Sequence, residues 1–429
     1  MEKKKVLLIA YYWPPGGGIA VRRWMGLANA LSRKGVEVHV LTIEPGSAAY
    51  QHVDESLVGE IEDGIMVHHV KAFNPFAVIK KVAPSAIPGA AFSESKSSGL
   101  LGRLLTVLRS HLFIPDPRKT WVRKAIQKGC VLVDEYGLET VITTSPPQSV
   151  HLIGQGMKRA RPNIQWTADF RDPWTDIFYY ERLGHSAVSR RIDAAMERRV
   201  LQQADQVLTV SWGFRDLLAS KVESEHRGKF HVLTNGMDFD PVHNGTESRI
   251  QDGPFRIVHT GTIAPSYAPE LVLDTIAAMN AGGEYRRFEF DYYGGVSADY
   301  QKELEERYDF IRFHGFVAQS QIGAIQRAAD VLFLLGPDVE KSKGHIPGKL
   351  FEYMGALRPI AFLGNPSDDV ARIISETQTG VCLPRGDARA IRQALADLQG
   401  AASNVEHVNA NLQPYIRSNQ AQRLLDLLG

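Results

Sequence analysis

Lys349 and Glu352 stand three residues apart in Pro347-Gly-Lys-Leu-Phe-Glu-Tyr-Met-Gly-Ala-Leu-Arg-Pro359, between two apolar runs. The spacing puts a cation and a carboxylate on one side of a helix that opens at Pro347–Gly348. Backbone N–H groups at a helix start, with Gly348 at the opening and Lys349 beside it, suit a phosphate. A carboxylate one turn on can accept two hydrogen bonds from a vicinal diol such as a ribose. Together they describe a nucleoside diphosphate site. The same pair also suits an ordinary solvated helix face, so the rest of the chain has to decide.

Three more segments carry candidate chemistry, each after an apolar run. Tyr11-Tyr-Trp-Pro-Pro-Gly-Gly-Gly18 leads into a helix with Arg22 and Arg23. Gly16, Gly17 and Gly18 would let backbone amides approach phosphate or hydroxyl oxygens. The dinucleotide pattern fails, because Val21 stands where its third small residue belongs. Ser145-Pro-Pro147 precedes His151, placed to point past the strand end and donate to a sugar hydroxyl, or else to serve the core. Trp166-Thr-Ala-Asp-Phe-Arg-Asp172 brings Asp169, Arg171 and Asp172 to another strand end, as catalytic or acceptor-binding groups or as an internal ion pair. His151, Asp172 and Lys349 form the candidate catalytic set. Asp238-Phe-Asp240 has a metal-binding spacing but reads better as a turn with capping carboxylates. No His/Cys cluster has zinc spacing and no serine elbow is present, so no metal or cofactor is expected.

The elements that must position these groups are short apolar runs alternating with helical patterns. They fall at 6–11, 36–42, 66–70, 140–144, 165–170, 206–211 and 230–234, then at 255–260, 288–293, 311–314, 331–335, 360–363 and 381–383. Runs without polar alternation suit parallel strands buried on both faces, and the intervening helices make two doubly wound α/β sheets. A length of 429 residues also asks for two domains. The polar stretch 240–254 divides them into 1–240 and 250–414, with a final helix at 415–429 packing back on the first. Ligands of such sheets sit beyond the carboxyl ends of the strands, so two facing sheets predict a cleft.

A net charge of +1 implies no nucleic-acid partner. Cys130 and Cys382 lie far apart in apolar surroundings, as in a reduced cytoplasmic protein. Residues 6–10 are too short for a signal-peptide core and no run reaches membrane-spanning length. Between 76 and 128, however, ten Lys or Arg face two acids. Within that stretch, residues 98–113 carry Leu101, Leu104, Leu105, Leu108 and Leu112 on one helical face, which suits either a basic domain helix or a peripheral membrane contact. The small-residue stretch 83–98 before it would suit an adaptable lip around an acceptor.

The order of these pieces resembles the retaining GT-B glycosyltransferases of the glycosyltransferase 4 type. The resemblance runs nearly end to end: Pro14–Gly18, Ser145–Pro147 with His151, Asp169–Asp172, Asn235–Asp238, His259–Thr262, His314–Val317 and Lys349–Tyr353. It implies two Rossmann-like domains and a nucleotide-diphosphate sugar as donor, with uridine favoured. It further implies a glycan or lipid-linked acceptor in bacterial polysaccharide biosynthesis, at the inner face of the cytoplasmic membrane. Gly261 and Thr262 would flank the diphosphate, Phe316 and Val317 would hold the base through backbone groups, and Glu352 would hold the ribose. Two positions depart from the family. Gly344 stands where a glutamate often lies near the sugar, and the loop 263–270 lacks the usual Arg and Lys. Lys349, with Lys341 or Lys343, would take the phosphate role. The rival readings are a nucleotide-sugar 2-epimerase, which consumes donor alone, and a binding protein without turnover.

Overall fold

The computed structural model describes residues 3–50, 52–73, 114–177, 180–237, 253–336, 338, 343–401 and 411–429. The chain divides into two compact units, Met1–Thr234 with Arg417–Gly429, and Asn235–Ile416. The first division lies a few residues before the expected linker because Met237 N–H donates to the Tyr415 carbonyl (2.8 Å), tying that segment to the second unit. Most of the linker, the Asp238–Asp240 turn and the amphipathic stretch 98–113 lie outside the described residues.

The first unit is a parallel sheet of β1 (Lys5–Ala10), β2 (Glu37–Ile43), β3 (Ile65–Val70), β4 (Thr140–Ser145), β5 (Gln165–Phe170), β6 (Gln206–Thr209) and β7 (Phe230–Val232). Its order is β3-β2-β1-β4-β5-β6-β7. The helices α1 (Ile19–Arg33), α2 (Val122–Tyr136), α3 (Val150–Ala160), α4 (Ala187–Gln203) and α5 (Trp212–Ala219) alternate with the strands. Along β1, Leu7 and Ile9 enter one core while Val6, Leu8 and Ala10 enter the other. Period-2 alternation with both faces covered is why the strand reads as an unbroken apolar run. Each Leu, Ile or Val among them contributes about 1.5–3 kcal/mol on burial. Gly154 lets α3 lie directly on β5, since a Cβ there would sit 2.1 Å from Trp166 Nε1.

The second unit is built the same way from β8 (Phe255–Thr260), β9 (Phe288–Tyr293), β10 (Ile311–Gly315), β11 (Val331–Leu335), β12 (Ile360–Gly364) and β13 (Gly380–Pro384). Their order is β10-β9-β8-β11-β12-β13, again parallel. Around them run α6 (Glu270–Gly282), α7 (Ala298–Arg307), α8 (Gln319–Ala328), α9 (Lys349–Gly355), α10 (Asp369–Thr377) and α11 (Ala388–Ala401). The last helix, α12 (Arg417–Leu427), belongs to the first unit, where Ala421 and Leu424 pack among Trp24, Leu27 and Leu31 of α1. In each sheet the strand order reverses once, between β1 and β4 and between β8 and β11. Those switch points, at the carboxyl ends of the strands, are where the connecting loops diverge and leave room for a ligand. Among the described residues no helix is long and apolar enough to cross a membrane.

Candidate active site

At the second switch point, α9 follows β11 and faces the loop that leaves β8. Leu350, Phe351, Tyr353 and Met354 of α9 are buried. That burial fixes the rotation of the helix and leaves Lys349 and Glu352 partly exposed together, with Nζ and Oε2 3.9 Å apart. Tyr353 pins the helix to the sheet: its hydroxyl accepts from Thr260 N–H (2.9 Å), and burial raises its pKa to about 12. The Lys349 stem lies against Gly261, where an added Cβ would come 2.6 Å from Lys349 Cε. A glycine here is what allows the lysine to cross the strand end.

The neighbouring loops close tightly around this turn. Gly261 N–H donates to the Tyr293 carbonyl (2.8 Å), and Ile263 N–H donates to the Tyr292 hydroxyl (2.8 Å). Gly294, at φ 145°, admits no side chain, because a Cβ would fall 1.7 Å from the Gly261 carbonyl oxygen. Phe316 follows β10 and is 87% exposed, with its ring against Gly295, whose other neighbour is Thr262. Gly261, Thr262, Phe316, Lys349 and Glu352 are therefore gathered at one edge of one sheet. Beneath them, His259 is buried, and its Nδ1 lies 2.7 Å from the Phe333 carbonyl. Burial lowers its pKa to about 4, and the nearby charge of Lys349 works in the same direction. It is a neutral support for the turn.

The first switch point holds a small pocket lined by Ala10, Tyr11, Tyr12, Arg23, Thr144, Ser145, Pro146 and Arg171. Its floor is a buried ionic knot. Asp169 accepts from Arg23 Nη2 (2.9 Å), Trp24 Nε1 (2.6 Å) and Thr144 Oγ1 (2.8 Å). Arg23 also donates to the carbonyls of Leu233 and Thr234, both at 2.9 Å. A carboxylate so deep in the protein is stable only with this full set of donors. On the rim, Arg171 Nη2 pairs with Asp172 Oδ2 at 2.7 Å.

The sequence matches two family models in succession. One is described as a glycosyl transferase 4-like domain, over residues 17–236, and the other as glycosyl transferases group 1, over residues 254–400. The chain belongs to these glycosyltransferases. No curated protein matches it by sequence. Solved structures match across its whole length. Sucrose-phosphate synthase from Thermosynechococcus elongatus shares 15% identity at TM-score 0.55, covering 100% of this chain and 95% of that one. A glycosyltransferase from Rickettsia africae ESF-5 shares 15% at TM-score 0.58, covering 100% and 98%. WaaG, a glycosyltransferase involved in lipopolysaccharide biosynthesis, shares 15% at TM-score 0.54, covering 99% of each. At such identities the likeness shows the fold, which is GT-B with two Rossmann-like domains.

Three sequence expectations about this glycosyltransferase change on the structure. His151 does not project from the strand end. It is fully enclosed, with its ring 4.2 Å from that of Phe170 and Nδ1 3.0 Å from Thr143 Oγ1. Trp166 Nε1 donates to the same hydroxyl, and burial takes the imidazole pKa down to about 3. The glycine loop is not an open cradle. Gly16 N–H donates to Trp13 O (2.9 Å) and Gly17 N–H to His52 O (3.0 Å), because the loop folds back onto residues 52–54. The start of α9 is also tighter than expected. Leu350 and Phe351 N–H groups bond to the Pro347 and Gly348 carbonyls (both 3.1 Å), so a seven-residue helix offers fewer open amides there.

One residue escaped the sequence reading altogether. Arg385, just beyond β13, donates from Nη1 to Tyr267 O (2.8 Å) and from Nη2 to Gly336 O (2.6 Å). It straps the loop without its own cation to the end of β11, and burial lowers its pKa. Its only signal in the sequence is a charged residue in the Leu383-Pro-Arg-Gly-Asp387 turn after a strand. Among the described residues no group of three or more His, Cys, Asp or Glu side chains is arranged to hold a metal ion.

Proposed function

We propose that this glycosyltransferase moves a hexose-type sugar from a nucleotide-diphosphate sugar, with UDP favoured, to a hydroxyl of a glycan or lipid-linked acceptor. The observation that supports this most is the pairing of Lys349 and Glu352 on the open side of α9, over the Gly261 turn. In this reading Glu352 accepts from the ribose diol, and Lys349 faces the diphosphate beside Gly261, Thr262 and Gly348. The exposed Phe316 and the following Val317 border the base.

Transfer breaks the bond between the anomeric carbon and the phosphate oxygen, whose electron pair leaves with the diphosphate. The acceptor oxygen forms the new bond, and its proton passes to the departing phosphate. Negative charge therefore grows on the diphosphate, and a fixed cation at that point lowers the barrier. Lys349 carries that charge in the proposed reaction, which proceeds without a metal and with retention. Acceptor binding is assigned to the first switch point, with Arg171 and Asp172 on its rim. His151 is too enclosed to touch substrate and serves there as a positioning residue. The reaction would run in the cytoplasm, at the inner membrane face where the acceptor is lipid-linked.

The test is a thermal-shift screen with UDP, GDP, ADP and their sugars, followed by kinetics. Glu352→Gln should raise the donor KM about tenfold, the loss expected for a charge-assisted hydrogen bond. Donor incubated alone should give no epimer. Wild-type kinetics in both Glu352→Gln and Lys349→Ala would refute the assignment.

A further inference from the structure

Helix α4 distributes its charges in an unusual way. Its two acids, Asp193 and Glu197, both point inward. Asp193 accepts from Trp174 Nε1 and the Tyr180 hydroxyl, both at 2.7 Å. Glu197 accepts from Thr175 Oγ1 (2.6 Å) and Lys221 Nζ (2.7 Å). The outward face is left with Arg191, Arg198 and Arg199, all exposed, and with no carboxylate of its own, while the exposed Arg190 lies toward the side of Asp193 and Tyr180. Glu181 precedes the helix, and Glu223, near its end, takes a hydrogen bond from Gln202 and lies close enough to Arg198 for their charges to interact.

Two apolar side chains lie in the same face, Val188 at 64% exposed and Ile192 at 45%, and Leu183, on the turn before the helix, is 37% exposed. At 100° per residue, Val188, Arg191, Ile192, Ala195 and Arg199 form one stripe along the outer surface. Single exposed apolar residues need no explanation, and a solvated helix face ordinarily mixes both signs of charge. A stripe that is only basic and apolar complements a surface with anionic groups above an apolar layer.

We propose that the outward face of α4 docks on an anionic lipid surface. The arginines reach lipid phosphates while Val188, Ile192 and Leu183 enter the boundary beneath the headgroups. A nucleic acid could use the arginines but would leave those three side chains in water. The residues of this surface lie outside the 98–113 segment of the sequence, and the proposal does not depend on the identity of the donor or acceptor.

The test is flotation of the full chain with vesicles of phosphatidylglycerol and phosphatidylcholine, against phosphatidylcholine alone. The wild type should bind the anionic vesicles only, and more weakly as salt is raised. Arg191→Gln with Arg199→Gln should lower partitioning about thirtyfold, since each basic residue near such a surface contributes about 1 kcal/mol. Val188→Ser with Ile192→Ser should lower it about tenfold. Both pairs lie on the surface, so melting temperatures should stay at the wild-type value. Wild-type partitioning by both variants overturns the proposal, including the case where only Arg103→Gln with Arg109→Gln releases the chain. Equal binding to neutral vesicles, or arginine-dependent retention on RNA without vesicle binding, overturns it too.

Discussion

Replacing Gly261 by alanine tests whether the turn after β8 matters for itself or for the lysine it admits. A methyl group at 261 would lie 2.6 Å from Lys349 Cε and 3.0 Å from His259 Nε2. His259 is held by the Phe333 carbonyl, so the lysine, a flexible and partly exposed chain, has to give way. Restoring ordinary contact moves the ammonium by about 1 Å. At an effective dielectric of about 20, the attraction between unit charges drops from about 4.15 kcal/mol at 4 Å to about 3.32 kcal/mol at 5 Å. A loss of about 0.8 kcal/mol is about fourfold in kcat/KM. Complete removal in Lys349→Ala loses a charge-assisted contact, about 1.5–3 kcal/mol, or about ten- to hundredfold.

The informative measurement is the double mutant. If Gly261 acts by making room for Lys349, adding Gly261→Ala to Lys349→Ala should cost little further in kcat/KM, because the contact with the lysine has gone and only the approach to His259 Nε2, away from the donor, remains. Donor kinetics on the four proteins complete the cycle. Stability should change by less than about 1 kcal/mol in Gly261→Ala, since the displaced atom is the end of a flexible chain. A double mutant about fourfold below Lys349→Ala would refute the reasoning. It would show that Gly261 contributes through its own backbone.

Two further outcomes concern buried side chains of the two units. Tyr353→Phe leaves the buried Thr260 N–H without its acceptor, so urea unfolding should show a loss of about 1–3 kcal/mol, and an unchanged midpoint would count against it. His151 and His259 are held neutral, with pKa values of about 3 and about 4 against 6.5 when unperturbed. Below about pH 6.5 the unfolded chain therefore binds protons that the folded one refuses, and stability should fall as pH drops toward about 4. Unfolding at pH 7 and pH 5 should show it, with a shallower slope in His259→Gln; an identical slope would exclude His259 as a source.

How much of this was legible in the sequence depends on the range of the interaction. The apolar runs mark the strands of both sheets because a strand buried on both faces has few polar positions, and that pattern is local. Lys349 and Glu352 were readable for the same reason, since an i, i+3 pair amid buried neighbours defines its own exposed side. The surroundings of His151 and of the Gly16–Gly17 amides are not legible in the sequence, because their partners, Thr143 with Phe170, and Trp13 and His52, are brought together only by the fold. Spacing along the chain fixes which turn of a helix a side chain occupies. It does not fix what packs against that turn.

Arg385 shows the same limit from the other side. The loop 263–270 looked deficient because it contains no cation, and a sequence comparison can only look for one at the matching position. In the fold, the guanidinium arrives from the end of β13 and bonds two backbone carbonyls, one of them in that loop. It bonds those two carbonyls and also faces Asp338, with Nε 3.8 Å from Oδ1, so its positive charge is only partly compensated near the strand ends. That charge lies at the edge of the sheet to which Lys349 and Gly261 also belong. A missing residue in a motif is therefore weak grounds for inferring a missing function when strand ends converge. The electrostatic requirement belongs to a region of space, and several segments of chain can meet it.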